Sequence, residues 1–119
     1  MAVPLTFRKN GFPYIRDGED VLYAMAKDQN AILQFENGDQ EMFGYRLNKF
    51  HQLVYLSNLF RRVHRSYLVK LCKVVNCKWL KAILANGEII PLSRKGYKIV
   101  KKYLAMQKKQ AALQDSSAS

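Results

Sequence analysis

The chain has 119 residues, 49% of them apolar and 12% aromatic, which suits one compact domain with a real core and excludes wholesale disorder. Its formal charge of +11, from 20 basic and 9 acidic residues, points to an anionic partner such as nucleic acid, a membrane surface or an acidic protein. No apolar run approaches the ~20 residues that span a bilayer, the opening MAVPLTFRKNGF lacks a secretory h-region, and two cysteines make no disulfide framework, so a reduced cytosolic protein is expected.

In chain order, short apolar runs separated by turn signals predict a mainly β domain. Leu5–Arg8 is a strand, Lys9–Phe12 a turn on Asn10-Gly11, and PYIR a second strand. Asp17–Asp20 is a polar turn into a largely buried strand, Val21–Ala26. Lys27–Asn30 is a loop. Ala31–Tyr45 has a hairpin pattern turning on Asn37-Gly38-Asp39. The period then changes: Leu47, Phe50, Leu53 and Val54 mark one face of a short helix. FRRVHRSYLVKL follows. Lys73–Leu84 reads as one or two strands with Trp79 as a core anchor. Asn86-Gly87 is another hairpin turn, and Glu88–Leu92 returns. Ser93 is the N-cap of a second helix, whose inner face is set by Tyr97, Val100, Lys101 and Leu104. Residues 1–104 form the domain, and 105–119 are expected to be a frayed or disordered tail. There is no internal repeat.

The charge is unevenly placed. Residues 1–44 hold four basic and seven acidic residues, whereas residues 45–109 hold sixteen basic residues against Glu88 alone. An anion-binding face should therefore be built mainly from the chain after Gly44. Within it, FRRVHRSYLV (60–69) alternates cationic or titratable groups with large apolar ones. Phe60, Val63, Tyr67, Leu68 and Val69 call for a core, whereas Arg61, Arg62, His64 and Arg65 cannot be accommodated in one. Arginine's planar fork of donors suits phosphate and the O6/N7 edge of guanine. That singles out Arg61, Arg62, Arg65 and Arg94. The structural alternative is pairing with the acidic first half, above all for Arg61 and Arg62. The pairs Lys101-Lys102 and Lys108-Lys109 read as solvated faces.

Other chemistry finds little support. His51, His64, Cys72 and Cys77 are conceivable metal ligands by type, but Cys-x4-Cys without a histidine pair is no zinc-finger spacing. No metal site and no cofactor are expected. There is no glycine-rich phosphate loop, no Gly-x-Ser-x-Gly and no credible carboxylate pair. Asp17, Glu19 and Asp20 read as a solvated turn, and Ser66 lacks a base held by a third group. The chain is not expected to be an enzyme or to take a small-molecule substrate.

LFRRVHRSYLV, followed some twenty residues later by LANGEIIPLSRKGYKIVKKYL, resembles the LytTR (LytR/AlgR-type) DNA-binding domain. That family has an F-x-R-x-H-[RN]-S-[YF]-[LI]-V-N core and an NG-x-x-[IV]-P-[VLI]-SR second motif. EDVLYAMAKDQNAILQFENGDQEMFGYRL also fits its strand, loop, hairpin and lead into a short helix. The resemblance covers about Leu5 to Leu104. It implies an elongated, mostly antiparallel β fold with short helices, and a bacterial, response-regulator-like transcription factor whose loops enter DNA grooves. It further implies binding to tandem half-sites in promoters, as dimers on DNA that bend the duplex.

By that resemblance, DNA is met by Asn30 in the Lys27–Asn30 loop, by Arg65 after the motif histidine, and by Arg94 of the SR pair. Asn30 rests on the resemblance alone, whereas charge had already marked Arg65 and Arg94. Lys27, Arg62, Lys70, Lys73 and Lys95 are phosphate candidates. His64 is read as hydrogen-bonding the loop that presents Arg65. Lys70 departs from the family asparagine after YLV, so the following turn loses a local hydrogen-bonding residue. The chain is too short for the N-terminal receiver domain that many members carry. It is either a stand-alone regulator, some of which answer to a membrane partner, or part of a longer one.

Two rivals remain. A single-stranded nucleic-acid or RNA module would stack bases on tyrosines such as Tyr14, Tyr45 and Tyr55. An interaction protein would press a basic face on an acidic partner or membrane without any DNA sequence preference.

Overall fold

The structure, a computed structural model, describes residues 3–54 and 60–118, with side chains as far as Ala111. Among the described residues the elements are β1 (Pro4–Lys9), β2 (Phe12–Asp17), β3 (Val21–Lys27), β4 (Asn30–Phe35), β5 (Gln40–Phe43), α1 (Leu47–Val54), β6 (Phe60–His64), β7 (Tyr67–Lys70), β8 (Val74–Lys78), β9 (Lys81–Leu84), β10 (Ile89–Pro91) and α2 (Arg94–Ala118). The strands form three antiparallel sheets. One is the β1–β2 hairpin, one is five-stranded in the order β5-β4-β3-β7-β6, and one is three-stranded in the order β10-β9-β8. The fold is thus mainly β, and the molecule is elongated, 56 × 31 × 24 Å along its principal axes.

The five-stranded sheet is the middle layer, because it has a core on each face. One core joins it to β1–β2 and α1 through Leu5, Leu33, Phe35, Phe43, Phe50 and Leu68. The other joins it to the three-stranded sheet and α2 through Leu22, Val69, Leu84, Ile90 and Val100. A strand with both faces covered must be apolar on both. This explains the dense apolar half of FRRVHRSYLV: Phe60 and Leu68 serve the first core, while Val63 and Val69 serve the second. Tyr67 is only half-buried, packed against the second core. Arg61, Arg62 and His64 fall on β6, an edge strand of the sheet, where charged side chains also discourage pairing with another chain, and Arg65 falls in the turn after it.

Several turns follow their local chemistry. Asn10 (φ 53°) and Gly11 (φ 82°) carry the left-handed conformations of a two-residue hairpin turn. Ser93 caps α2, its hydroxyl accepting the Gly96 amide hydrogen at 2.9 Å.

Three expectations about which side chains face the core are corrected. Trp79 is 63% exposed rather than a core anchor. Trp79 and Leu80 form the turn between β8 and β9, with Leu80 at φ 58°, and a two-residue turn lifts its side chains off the sheet faces. The Trp79 ring instead meets Tyr97 edge-on at 5.1 Å. Leu53 is exposed at 41%, since Leu47, Phe50 and Val54 suffice to cover the inner face of the two-turn α1. Lys101 lies outside the packed face of α2, exposed, with Nζ 5.6 Å from the Tyr97 ring centroid. The segment after Leu104, assigned from composition to a frayed or disordered tail, is continuous with α2 through Ala118. It holds no glycine or proline and is rich in alanine, lysine and glutamine, which favour helix.

Candidate nucleic-acid interface

The β6–β7 hairpin turns on two residues, Arg65 and Ser66. Two-residue turns ordinarily rely on positive φ at glycine or asparagine, and neither residue here has it. Side chains hold the turn instead. Arg62 donates through Nε to the carbonyl of His64 at 3.1 Å, through Nη2 to the carbonyl of Arg65, and through Nη1 to Asn48 Oδ1 at 2.6 Å. The Ser66 amide donates to His64 Nδ1 at 3.1 Å, so His64 supports the turn that presents Arg65. The Arg65 side chain is exposed.

Two neighbouring segments are tied to this tip by backbone hydrogen bonds. On one side the Ala26 amide donates to the Ser66 carbonyl at 2.8 Å. That brings up the β3–β4 turn, where Lys27 pairs with Asn30 and Asp28 takes φ 56°. On the other side the register slips between Arg62 and His64, a bulge at Val63 that leaves its carbonyl free of the ladder. The Ser93 amide donates to that carbonyl at 2.9 Å, and its hydroxyl lies 3.3 Å away. This seats the first turn of α2 on β6. Gly96 makes the contact possible, because a Cβ there would lie 1.9 Å from the Val63 oxygen. Asn30, Arg65 and Arg94 therefore stand on three segments joined at one end of the middle sheet.

Arg94 and Lys95 are both exposed in the first turn of α2, where no acidic residue is present. The positive end of the helix macrodipole disfavours cations there by about 0.3–1 kcal/mol each. Helix stability therefore does not account for them.

The remaining phosphate candidates divide. Lys27 is exposed at the tip. Arg62 directs its donors into the turn, so it acts first as a clamp, and it does so through carbonyls and Asn48 rather than through a carboxylate of the first half. Burial pushes its pKa down. Lys70 and Lys73 both converge on Glu36, at 3.5 and 3.2 Å, and Lys70 Nζ also donates to the Glu19 carbonyl. The pairing with the acidic half that was weighed for the arginines thus falls to these two lysines. Lys70 also ties the 3-10 turn at Gly18–Asp20 to the end of β7.

Sequence reasoning missed Arg46, Asn48 and Gly96. Arg46, Asn48, Asp28, Asn30 and Arg62 line an open cleft of about 290 Å³ between the β3–β4 turn and α1. Arg46 was visible only as one cation among many, and the glycine after SRK was the only hint of a close approach. Of the proposed stacking platforms, Tyr14 is already stacked on Phe7 and donates to Glu41, which raises its pKa. Tyr45 is exposed but leans on Phe43 at 5.2 Å. Tyr55 lies outside the described residues. Cys72 and Cys77 are free thiols, one in the 3-10 turn before β8 and one within it. No helix among the described residues is long and apolar enough to cross a membrane.

Comparison with known proteins agrees with this architecture. No curated protein matches the chain. Among solved structures it is similar to the LytTr DNA-binding domain of a Bacillus cereus protein described as a methyl-accepting/DNA response regulator. The TM-score is 0.64 and the identity 23%, over 87% of this chain and 96% of that one. At that identity the likeness speaks for the fold. The family model described as the LytTr DNA-binding domain matches residues 14–105, most of the chain and both motifs. The chain therefore belongs to the LytTR DNA-binding domain family, whose members are DNA-binding regulatory domains rather than enzymes.

Proposed function

We propose that the chain is a sequence-specific regulator of transcription that binds double-stranded DNA at tandem promoter half-sites by inserting loops into the grooves. The observation that carries this reading is the shared end of the middle sheet. There the turns bearing Asn30 and Arg65 and the start of α2 bearing Arg94 are joined by the bonds Ala26–Ser66 and Ser93–Val63. Arg65 and Arg94 are exposed on a hydrogen-bonded turn and helix start, which limits the entropy lost when a guanidinium docks. In this reading they meet base edges in the major groove and Asn30 meets a neighbouring groove. Lys27 and Lys95 meet phosphates, Arg62 and His64 shape the turn, and Lys73 has a carboxylate partner to give up before it could bind a phosphate.

Selection from random duplex DNA at near-physiological salt tests this directly, since at low salt so basic a protein binds any duplex by counterion release. A short motif repeated at about one helical turn is expected. Arg65→Ala and Arg94→Ala should each lose about 1–3 kcal/mol on the selected site and little on random DNA. A flat selection, or equal losses on both DNAs, would reduce the surface to backbone contact.

A further inference from the structure

Lysine pairs late in the chain look like solvated faces when read along the sequence. On α2 they form a stripe. Arg94, Lys98, Lys101, Lys102, Lys108 and Lys109 are all exposed. At about 100° per residue they fall within an arc of roughly 120°. Gly96, Val100 and Tyr103 occupy the opposite side, against β6 and the second core. The first acidic residue of α2 is Asp115, and among the described residues none of the six cations is in an ion pair.

Such a stripe works against the helix that bears it. Arg94–Lys98, Lys98–Lys101 and Lys98–Lys102 are like-charged neighbours at i, i+3 or i, i+4, which repel. A solvated helix is better served by interspersed acids, and this one has none along the stripe. The stripe is also linear: Arg94 to Lys109 spans roughly 22 Å of helix axis. Its natural counterpart is a linear polyanion, and duplex DNA presents one charge per about 1.7 Å. It begins at Arg94, the residue already assigned to DNA, and runs away from the tip along a helix that outlasts its packing: residues 105–111 are all exposed.

We propose that the outward face of α2 is a second DNA-contacting surface. It is a phosphate-binding stripe that lies along the duplex flanking the bases met by Arg65 and Arg94, and it adds affinity without sequence preference. The inference rests on the duplex-DNA reading above.

The test uses the full chain and a variant carrying Lys101→Gln, Lys102→Gln, Lys108→Gln and Lys109→Gln. Glutamine keeps a comparable helix propensity, and far-UV circular dichroism checks that the helix remains. The probes are the selected site trimmed to its ends, the same site with about one helical turn of flank on each side, arbitrary duplexes of both lengths, and vesicles rich in anionic lipid. The wild type should prefer flanked DNA, and the variant should lose that preference. On flanked DNA the slope of log affinity against log salt should become shallower by about 0.9 for each phosphate released. Base preference should be unchanged. Equal binding by both proteins on flanked and trimmed DNA would overturn the proposal. So would vesicle binding that only the wild type shows while DNA binding stays alike, which would assign the stripe to a membrane surface. A flat selection together with a flank-dependent loss on arbitrary duplex would instead remove the sequence-specific reading and leave the stripe standing.

Discussion

Gly96 shows how one residue decides where an interface forms. Replacing glycine inside a helix by alanine usually stabilises by about 0.5–1 kcal/mol, because alanine restricts the unfolded chain and glycine does not. Here the sign should reverse. The new methyl would stand 1.9 Å from a backbone oxygen of β6, and a carbonyl cannot swing away as a flexible side chain can. Either α2 lifts from β6 or the Val63 bulge is lost. Gly96→Ala should destabilise by about 1–3 kcal/mol, as overpacking does, read as a lower urea midpoint. An unchanged or higher midpoint would show that α2 does not need this seat.

At the scale of the element, the β6–β7 hairpin depends on the fork of Arg62 as much as on its ladder. Lysine carries the same charge without the fork, so Arg62→Lys separates two roles. A phosphate contact would survive the exchange largely intact. A clamp would not, because the carbonyls of His64 and Arg65 and the amide oxygen of Asn48 cannot all be reached by one ammonium. Arg62→Lys should therefore weaken binding to the selected site by about 1.5–3 kcal/mol, the range for hydrogen bonds involving a charged group. It should also speed hydrogen exchange at the Ser66 amide. Wild-type affinity with unchanged exchange would return Arg62 to the list of simple phosphate contacts.

For the whole molecule, the two-sided middle sheet divides labour. The acidic first half supplies most of the first core, to which Leu47, Phe50, Val54, Phe60 and Leu68 are added, while the basic second half supplies the second core apart from Leu22 and most of the groups proposed to meet DNA. The base of the N-terminal hairpin is closed partly by Asp17, whose carboxylate accepts the amide hydrogens of Val3 and Glu19, each at 2.9 Å. Those bonds hold its pKa below the ordinary carboxylate value. A carboxylate with a depressed native pKa takes up its proton first in the unfolded chain. Its contribution is thus complete above the unfolded value, near pH 4, and is lost as pH falls through the native one. The wild type should lose stability on acidification toward pH 3 more steeply than Asp17→Asn does. Parallel acid profiles for the two proteins would remove this link.

Fold class, the turns at Asn10-Gly11 and Asn86-Gly87 and the Ser93 cap were legible because each rests on local chemistry: periodicity, positive-φ preference, capping. Charge type is what marks Arg65 and Arg94 as candidates in the proposed interface. Trp79 was misplaced because an apolar run does not announce the two-residue turn that interrupts it. Asn30 enters the proposed interface through the family pattern alone, since a lone asparagine in a loop carries no charge signal. Partnership lay beyond the linear chain altogether. Lys70 and Lys73 find Glu36, Arg62 finds Asn48, and Gly96 finds the Val63 oxygen, all across separations that no local rule spans. Composition and spacing determined which kinds of group this protein has to offer an anion. Tertiary structure decided which of them remain free to offer it, because only packing sets which donors meet acceptors within the chain and which are left facing outward.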